Sequence, residues 1–304
     1  MTKQNSPLVL GTERIGKLLT QYAIPAIIAM TASSLYNMAD SIFIGHGVGP
    51  LAISGLALTF PLMNLAAAFG SLVGVGASTL VSVKLGQKDY EGANQVLGNV
   101  LVLNVLLGVA FTFVFLLLLD PILYFFGASE NTIGYARDYM QIILYGNVIT
   151  HMYLGLNAVL RSSGFPKQAM YATLASVVIN CILNPIFIFG FEWGIKGSAW
   201  ATVISQVISL TGQMIHFSSP KQLLHFKKGI YKLRKEVVKG ILYRDVAFFD
   251  ESLFLSDCYP DQPRFERTWG RHGDWCLWYR KPHYLPVCND YYGLQPGDAT
   301  YCRI

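Results

Sequence analysis

Charged residues are scarce in this 304-residue chain: 13% of the total, about half the share of an ordinary globular domain. The scarcity is confined to the first 242 residues, which hold 16 Lys/Arg and 9 Asp/Glu, against 7 and 9 in the last 62. Cysteine is scarce in the same part, where Cys181 is one of five in the chain. That excludes a secreted disulfide scaffold. Hydrophobic residues make up 53%, which excludes intrinsic disorder for the first part, and no collagen repeat is present. There is no nucleotide-binding loop, no nucleophile–base constellation and no nucleic-acid motif, so neither an enzyme nor a nucleic-acid partner is expected. A single water-soluble domain is excluded for the chain as a whole.

What remains is a set of long apolar runs. A membrane-crossing helix needs roughly 20 mostly apolar residues, and six segments supply them: about 17–40, 52–83, 96–119, 133–160, 169–191 and 197–217. The first is too long and too polar inside (Thr31, Ser33, Ser34, Asn37, Asp40) for a cleaved signal peptide. Alternating barrel strands are absent, so the spans are helical. The expected architecture is an all-α integral membrane protein with a cytoplasmic tail over 1–16. A six-helix transmembrane lobe follows over 17–217, then a basic linker over 218–242 and a compositionally foreign tail over 243–304.

Cations orient the bundle. With the N-terminus in the cytoplasm of a cell whose plasma membrane holds the chain, 14 Lys/Arg fall on the inner side and two, Arg137 and Lys196, on the outer side. The stretch Lys221 to Lys239 supplies seven of the inner cations. It reads as a solvated linker or as a surface helix on anionic lipid.

Asp40 is the one acid within the six spans that is not at a span end. An unpaired carboxylate there costs about 2.5–3.5 kcal/mol on insertion scales, so it should face the bundle interior and exchange a proton or bind sodium. The alternative is a structural cap at the end of the first helix. Asn180 and Asn184 lie four apart, on one helix face, and could form a coordinating wall opposite Asp40. The other intramembrane amides, Asn37, Asn64, Asn104, Asn147 and Asn157, read first as interhelical ties worth about 0.6 kcal/mol each. Asn37 and Asn157 are also candidates for a substrate cavity. Pro25 and Pro61 interrupt their spans and suggest a kink or hinge, with Pro25 the candidate gate. Gly70, Gly74, Gly76 and Ala77 permit close helix contact. His151 reads as a packing residue.

Four segments carry a resemblance: Tyr36-Asn37-Met38-Ala39-Asp40-Ser41-Ile42-Phe43-Ile44-Gly45, Lys84-Leu85-Gly86-Gln87-Lys88-Asp89-Tyr90-Glu91-Gly92-Ala93, Arg161-Ser162-Ser163-Gly164-Phe165-Pro166-Lys167 and Asn180-Cys181-Ile182-Leu183-Asn184-Pro185-Ile186-Phe187. In this order and spacing they resemble the N-terminal lobe of a multidrug and toxic compound extrusion (MATE) transporter over about residues 10–242. The resemblance implies a protein of two six-helix lobes that expels amphipathic or cationic organic compounds in exchange for protons or sodium, with no other cofactor. It implies that Asp40 is the coupling acid of the first helix and Asn180 the asparagine of the fifth. Asn184 departs from the pattern, since many members carry aspartate there. A neutral amide cannot take up a proton, so Asp40 would work alone.

The tail fits none of this. Cys258, Cys276, Cys288, Cys302, His272 and His283 match no zinc-module spacing. Read one nucleotide later, however, codons for Tyr243 to Ser252 can give I-G-M-S-P-F-L-M-N-L, an apolar helix start. The same offset from Gly270 can give, for suitable codons, a stretch resembling the family's C-terminal lobe. Trp275-Cys276 and Trp278-Tyr279 each force a glycine under that shift, where the restored pattern has one. The expectation is an out-of-frame, unstructured tail beginning near Leu242 and Tyr243, and a truncated lobe that lacks its partner. Two alternatives stand beside it: a homodimerising half-transporter with a real regulatory tail, and a membrane-anchored metal sensor using the Cys/His tail.

Overall fold

In the computed structural model, which describes residues 15–220, 222–227, 229–243, 267–269 and 275–277, the apolar runs wind into helices whose ends are set by local chemistry. Helix α1 spans Ile15–Gly47 and α2 spans Pro50–Gly86. The latter opens with proline in its first turn, where the missing N–H has no partner to lose. Helix α3, Tyr90–Leu117, starts where the Asp89 carboxylate accepts the Gly92 N–H at 2.9 Å. Short α4 (Leu119–Phe125) leads to α5 (Ile133–Tyr145) and α6 (Asn147–Ser162). Helix α7, Pro166–Pro185, runs straight into a π-helical turn, Ile186–Gly190. Helices α8 (Ile195–Ser218) and α9 (Lys235–Tyr243) complete the bundle.

Two expectations change. The fourth span is not one helix: α5 and α6 bend by 56° across Gly146. Among the described residues, four helices are each long and apolar enough to cross a bilayer, and the bent pair makes five. Helix α8 covers the sixth expected span but is less apolar, because Ser198, Thr202, Ser205, Ser209 and Gln213 lie buried along it. Those side chains face protein rather than lipid, so hydropathy understates its place in the bundle. Helices α1 and α2 continue through Pro25 and Pro61.

The small-residue run of α2 lies against α6, as its composition suggests. A side chain at Gly74 would stand 3.0 Å from the Gly155 Cα and 3.1 Å from the Ala158 Cβ. One apolar core gathers Ile44, Leu56, Leu123, Tyr139 and Met140; a second gathers Val73, Leu97, Val100, Leu156, Phe217 and Ile241. Large apolar side chains including Leu19, Ile27, Met30, Phe113, Leu117 and Ile215 point outward, as a lipid-facing surface requires. The two cations expected on the outer side are both paired: Arg137 grips Asp120 with two bonds of 2.7 Å, and Lys196 lies 3.3 Å from Asp138.

The linker 218–242 is not simply solvated. It is helical over α9, and before that helix its backbone bonds to α3. The chain divides into two units, Met1–Ser252 and Leu253–Ile304, a boundary slightly beyond the compositional one. Within the second unit, β1 (Arg267–Trp269) and β2 (Trp275–Leu277) pair antiparallel, Thr268 opposite Cys276. A short strand pair thus exists where no strand pattern is legible. The remainder of the expected unstructured tail lies outside the described residues.

Candidate functional site

Asp40 sits inside α1, about two turns before the helix ends at Gly47, so it is not a cap. It is 5% exposed and surrounded by donors. The Asn184 side-chain amide donates to its Oδ1 at 2.8 Å, the Ser198 hydroxyl donates to the same oxygen, and the Tyr139 hydroxyl reaches Oδ2 at 3.5 Å. A buried carboxylate is tolerable only with such partners. Three helices besides α1 supply them: α5 brings Tyr139, α7 brings Asn184, and α8 brings Ser198.

The contacts continue as a chain. Asn184 also donates to the Asn180 Oδ1 at 2.9 Å, and Asn180 donates to the Thr202 hydroxyl at 3.2 Å. Thr202 lies 2.9 Å from the Tyr36 hydroxyl. Both protons of the Asn184 amide are therefore used, while its own oxygen, fully buried, has no partner. Tyr36 and Thr202 line a cavity of about 200 Å³, together with Asn147, Thr150, Tyr153, Thr173 and Gln206. The buried carboxylate is thus joined by side chains to a cavity within the same lobe, whose wall also carries the apolar Met63, Ala66, Ile143, Leu154 and Val177.

Of the residues singled out in the sequence, the structure brings Asp40, Asn180 and Asn184 together. It does not bring in the other three. Asn37 is exposed on α1, and Pro25 is buried far earlier on that helix. Asn157 donates to the Ala169 carbonyl at 3.0 Å and so ties α6 to α7. None of these three lines the cavity. His151 is fully buried, its Nε2 lies 3.0 Å from the Ala66 carbonyl, and Phe111 meets its ring edge-on. Tyr36, Tyr139, Ser198 and Thr202 were not legible as site residues. A weak signal existed, because Ser198, Thr202, Ser205, Ser209 and Gln213 recur three or four apart on one face of their helix. Among the described residues, no three His, Cys, Asp or Glu side chains cluster as a metal site would require; the Cys/His set of the tail lies outside them.

Known proteins resemble this chain in sequence and in fold. The MatE family profile matches residues 25–186. A multidrug export protein MepA from Staphylococcus haemolyticus is 32% identical over 235 residues, 77% of this chain and 52% of the relative. A multidrug export protein MepA from Staphylococcus aureus is 29% identical over 239 residues, 79% of this chain and 53% of the relative. This chain therefore spans about half the length of the curated relatives it matches. A solved structure of MATE in the bent conformation is 28% identical, with a TM-score of 0.77 over 84% of this chain and 57% of that one. An outward-facing structure of a multidrug resistance MATE family transporter matches with a TM-score of 0.75 over 84% and 55%. The chain belongs to the MatE family.

Proposed function

We propose that this chain is one lobe of a multidrug efflux antiporter, with Asp40 the carboxylate that carries the coupling ion, proton or sodium. The observation that carries the reading is the unbroken side-chain path from Asp40 through Asn184, Asn180 and Thr202 to the cavity wall. An ionised Asp40 accepts from three donors at once. Protonation turns one of its oxygens into a donor, so at least one of those contacts must turn or break, and the change passes to Tyr36 and Thr202. That links ion uptake to the shape of a cavity suited to small amphipathic or cationic organic compounds.

The partners in this reading are the plasma-membrane bilayer, those organic compounds and a second lobe, with the N-terminus in the cytoplasm. Alternating access needs two repeats moving about a midplane site, so this lobe alone binds but does not pump. The change of composition after Leu242 supports a change of reading frame there. The test is binding of a cationic dye to the purified chain across a pH range, with and without sodium. Wild-type binding is expected to weaken as Asp40 takes up its ion, and Asp40→Asn should bind without that dependence. An unchanged pH and sodium response in the variant would overturn the assignment.

A further inference from the structure

The stretch between α8 and α9 is held by a device the site does not use. Two asparagines on α3 each grip a strand of backbone from both sides. Asn94 accepts the His225 N–H at 2.9 Å and donates to the Leu223 carbonyl at 3.4 Å. Asn99 accepts the Arg234 N–H at 3.1 Å and donates to the Lys232 carbonyl at 3.3 Å. Both amides are buried. Between them a Cβ on Gly98 would stand 2.3 Å from the Ile230 carbonyl oxygen, so only glycine lets the strap lie this close. Leu224, Ile230 and Ile241 are buried beneath it.

The outward side of the strap is the unexplained part. Leu223, Tyr231 and Leu233 are exposed at 38%, 47% and 46%, although buried positions lie beside them. Interleaved with them are the exposed cations Lys227, Lys232, Arg234 and Lys235. Glu236 is the one acid in this stretch, and with Asp89 and Glu91 it lines a separate cleft against the α2–α3 junction, shared with Lys84 and Arg234. Lys227, Lys232 and Lys235 do not line that cleft.

Depth supplies the second argument. Helix α3 has 28 residues, about 42 Å at 1.5 Å per residue, which matches a bilayer including both headgroup layers. Asn94 lies one turn and Asn99 about two and a half turns from its first residue. On that placement the Asn94 clamp lies at headgroup level and the Asn99 clamp several ångströms inside the acyl boundary, a zone where apolar side chains insert and long cationic side chains reach back to phosphates.

We propose that residues 222–227 and 229–241 form an interfacial collar that binds anionic phospholipid, with Leu223, Tyr231 and Leu233 inserting and Lys227, Lys232 and Lys235 contacting headgroup phosphates. The proposal rests on the reading of the chain as a membrane-inserted lobe, and the two fail differently. The full chain is placed in nanodiscs of phosphatidylcholine alone or mixed with phosphatidylglycerol, and backbone hydrogen exchange is followed by mass spectrometry. The collar should exchange more slowly with phosphatidylglycerol, by roughly tenfold or more, since each interfacial cation contributes about fivefold to anionic-lipid binding. High salt should erase the difference, and the triple variant Lys227→Gln, Lys232→Gln, Lys235→Gln should not show it. Equal exchange in the two lipids while α3 and α6 stay protected would overturn the collar. So would a difference that survives in the triple variant, or one reproduced by inorganic phosphate in phosphatidylcholine nanodiscs. Rapid exchange throughout α1 to α8 would instead overturn the membrane-lobe reading.

Discussion

Helices α1, α7 and α8 meet through a chain of side-chain hydrogen bonds, whereas α2, α3 and α6 meet mainly through glycine, alanine and apolar residues, with the His151 Nε2 bonded to the Ala66 carbonyl between α6 and α2. The two junctions bury the same residue type to opposite effect. Asn184 spends its amide protons on Asp40 and Asn180, and Asn180 donates in turn to Thr202. Asn104, fully buried on α3, has a partner for neither its nitrogen nor its oxygen, and the His151 Nδ1 is likewise unpaired. Burial of an amide inside a span is therefore no sign of a site; the partner it finds is. One junction can rearrange by exchanging donors, while the other is fixed by contact distances that leave no room.

The strongest way to break that contrast is to fill the tight junction. Gly74→Leu should destabilise the lobe by about 3 kcal/mol in thermal melting in detergent, because α6 backbone occupies the space. Gly212→Leu, where nothing lies within 4 Å, should melt as the wild type does. Equal behaviour of the two would mean that α2 and α6 do not pack this closely. The next effect sharpens the comparison of amides. Asn184→Leu removes one of the two donors to the Asp40 Oδ1 and strands the Asn180 oxygen, and should lower stability by about 1–3 kcal/mol. Asn104→Leu removes an amide that bonds nothing and should be neutral or stabilising by up to about 1 kcal/mol. The reverse order in melting temperatures would remove the distinction between the junctions.

The smallest effect lies outside both. The hydrogen bond from the Lys84 ammonium, and next the Gly92 N–H, hold the Asp89 carboxyl below the usual carboxylate range. A depressed carboxyl adds stability that is present above its unfolded value, near 3.9, and is lost as pH falls through the lower folded value. Asp89→Asn should therefore melt slightly lower at neutral pH and converge with the wild type in acid. Because Asp89 is exposed to solvent, salt should shrink the gap.

The apolar runs were legible because each spans a bilayer, and Asp40 because an acid in such a run must find company. Asn180 and Asn184 were legible from their four-residue spacing. Ser198, Thr202 and Tyr139 were not, since single hydroxyls are ordinary in a membrane helix and only tertiary packing aims them at Asp40. The bend at Gly146 was hidden because glycine inside an apolar run leaves hydropathy unchanged. The strap was hidden for a different reason: Asn94 and Asn99 recognise main-chain N–H and C=O groups, which every non-proline residue carries. Its cations could be counted from the sequence, but not where they are held.

The π-helical turn after Asn184 has a consequence for rotation about the helix axis. Pro185 has no N–H to give, and the chain closes the next loop with a wider bond, Phe191 N–H to the Ile186 carbonyl at 3.0 Å. One extra residue in a turn shifts everything beyond it by about 100°. The two ends of this span are therefore out of phase. Of the aromatic residues whose rings contact one another there, Phe187 lies on the π-helical turn, and Phe191 and Trp193 lie just beyond its end at Gly190. The shift lets the face that carries Asn180 and Asn184 and the aromatic cap beyond it follow separate angular rules, so either can change in sequence without turning the other.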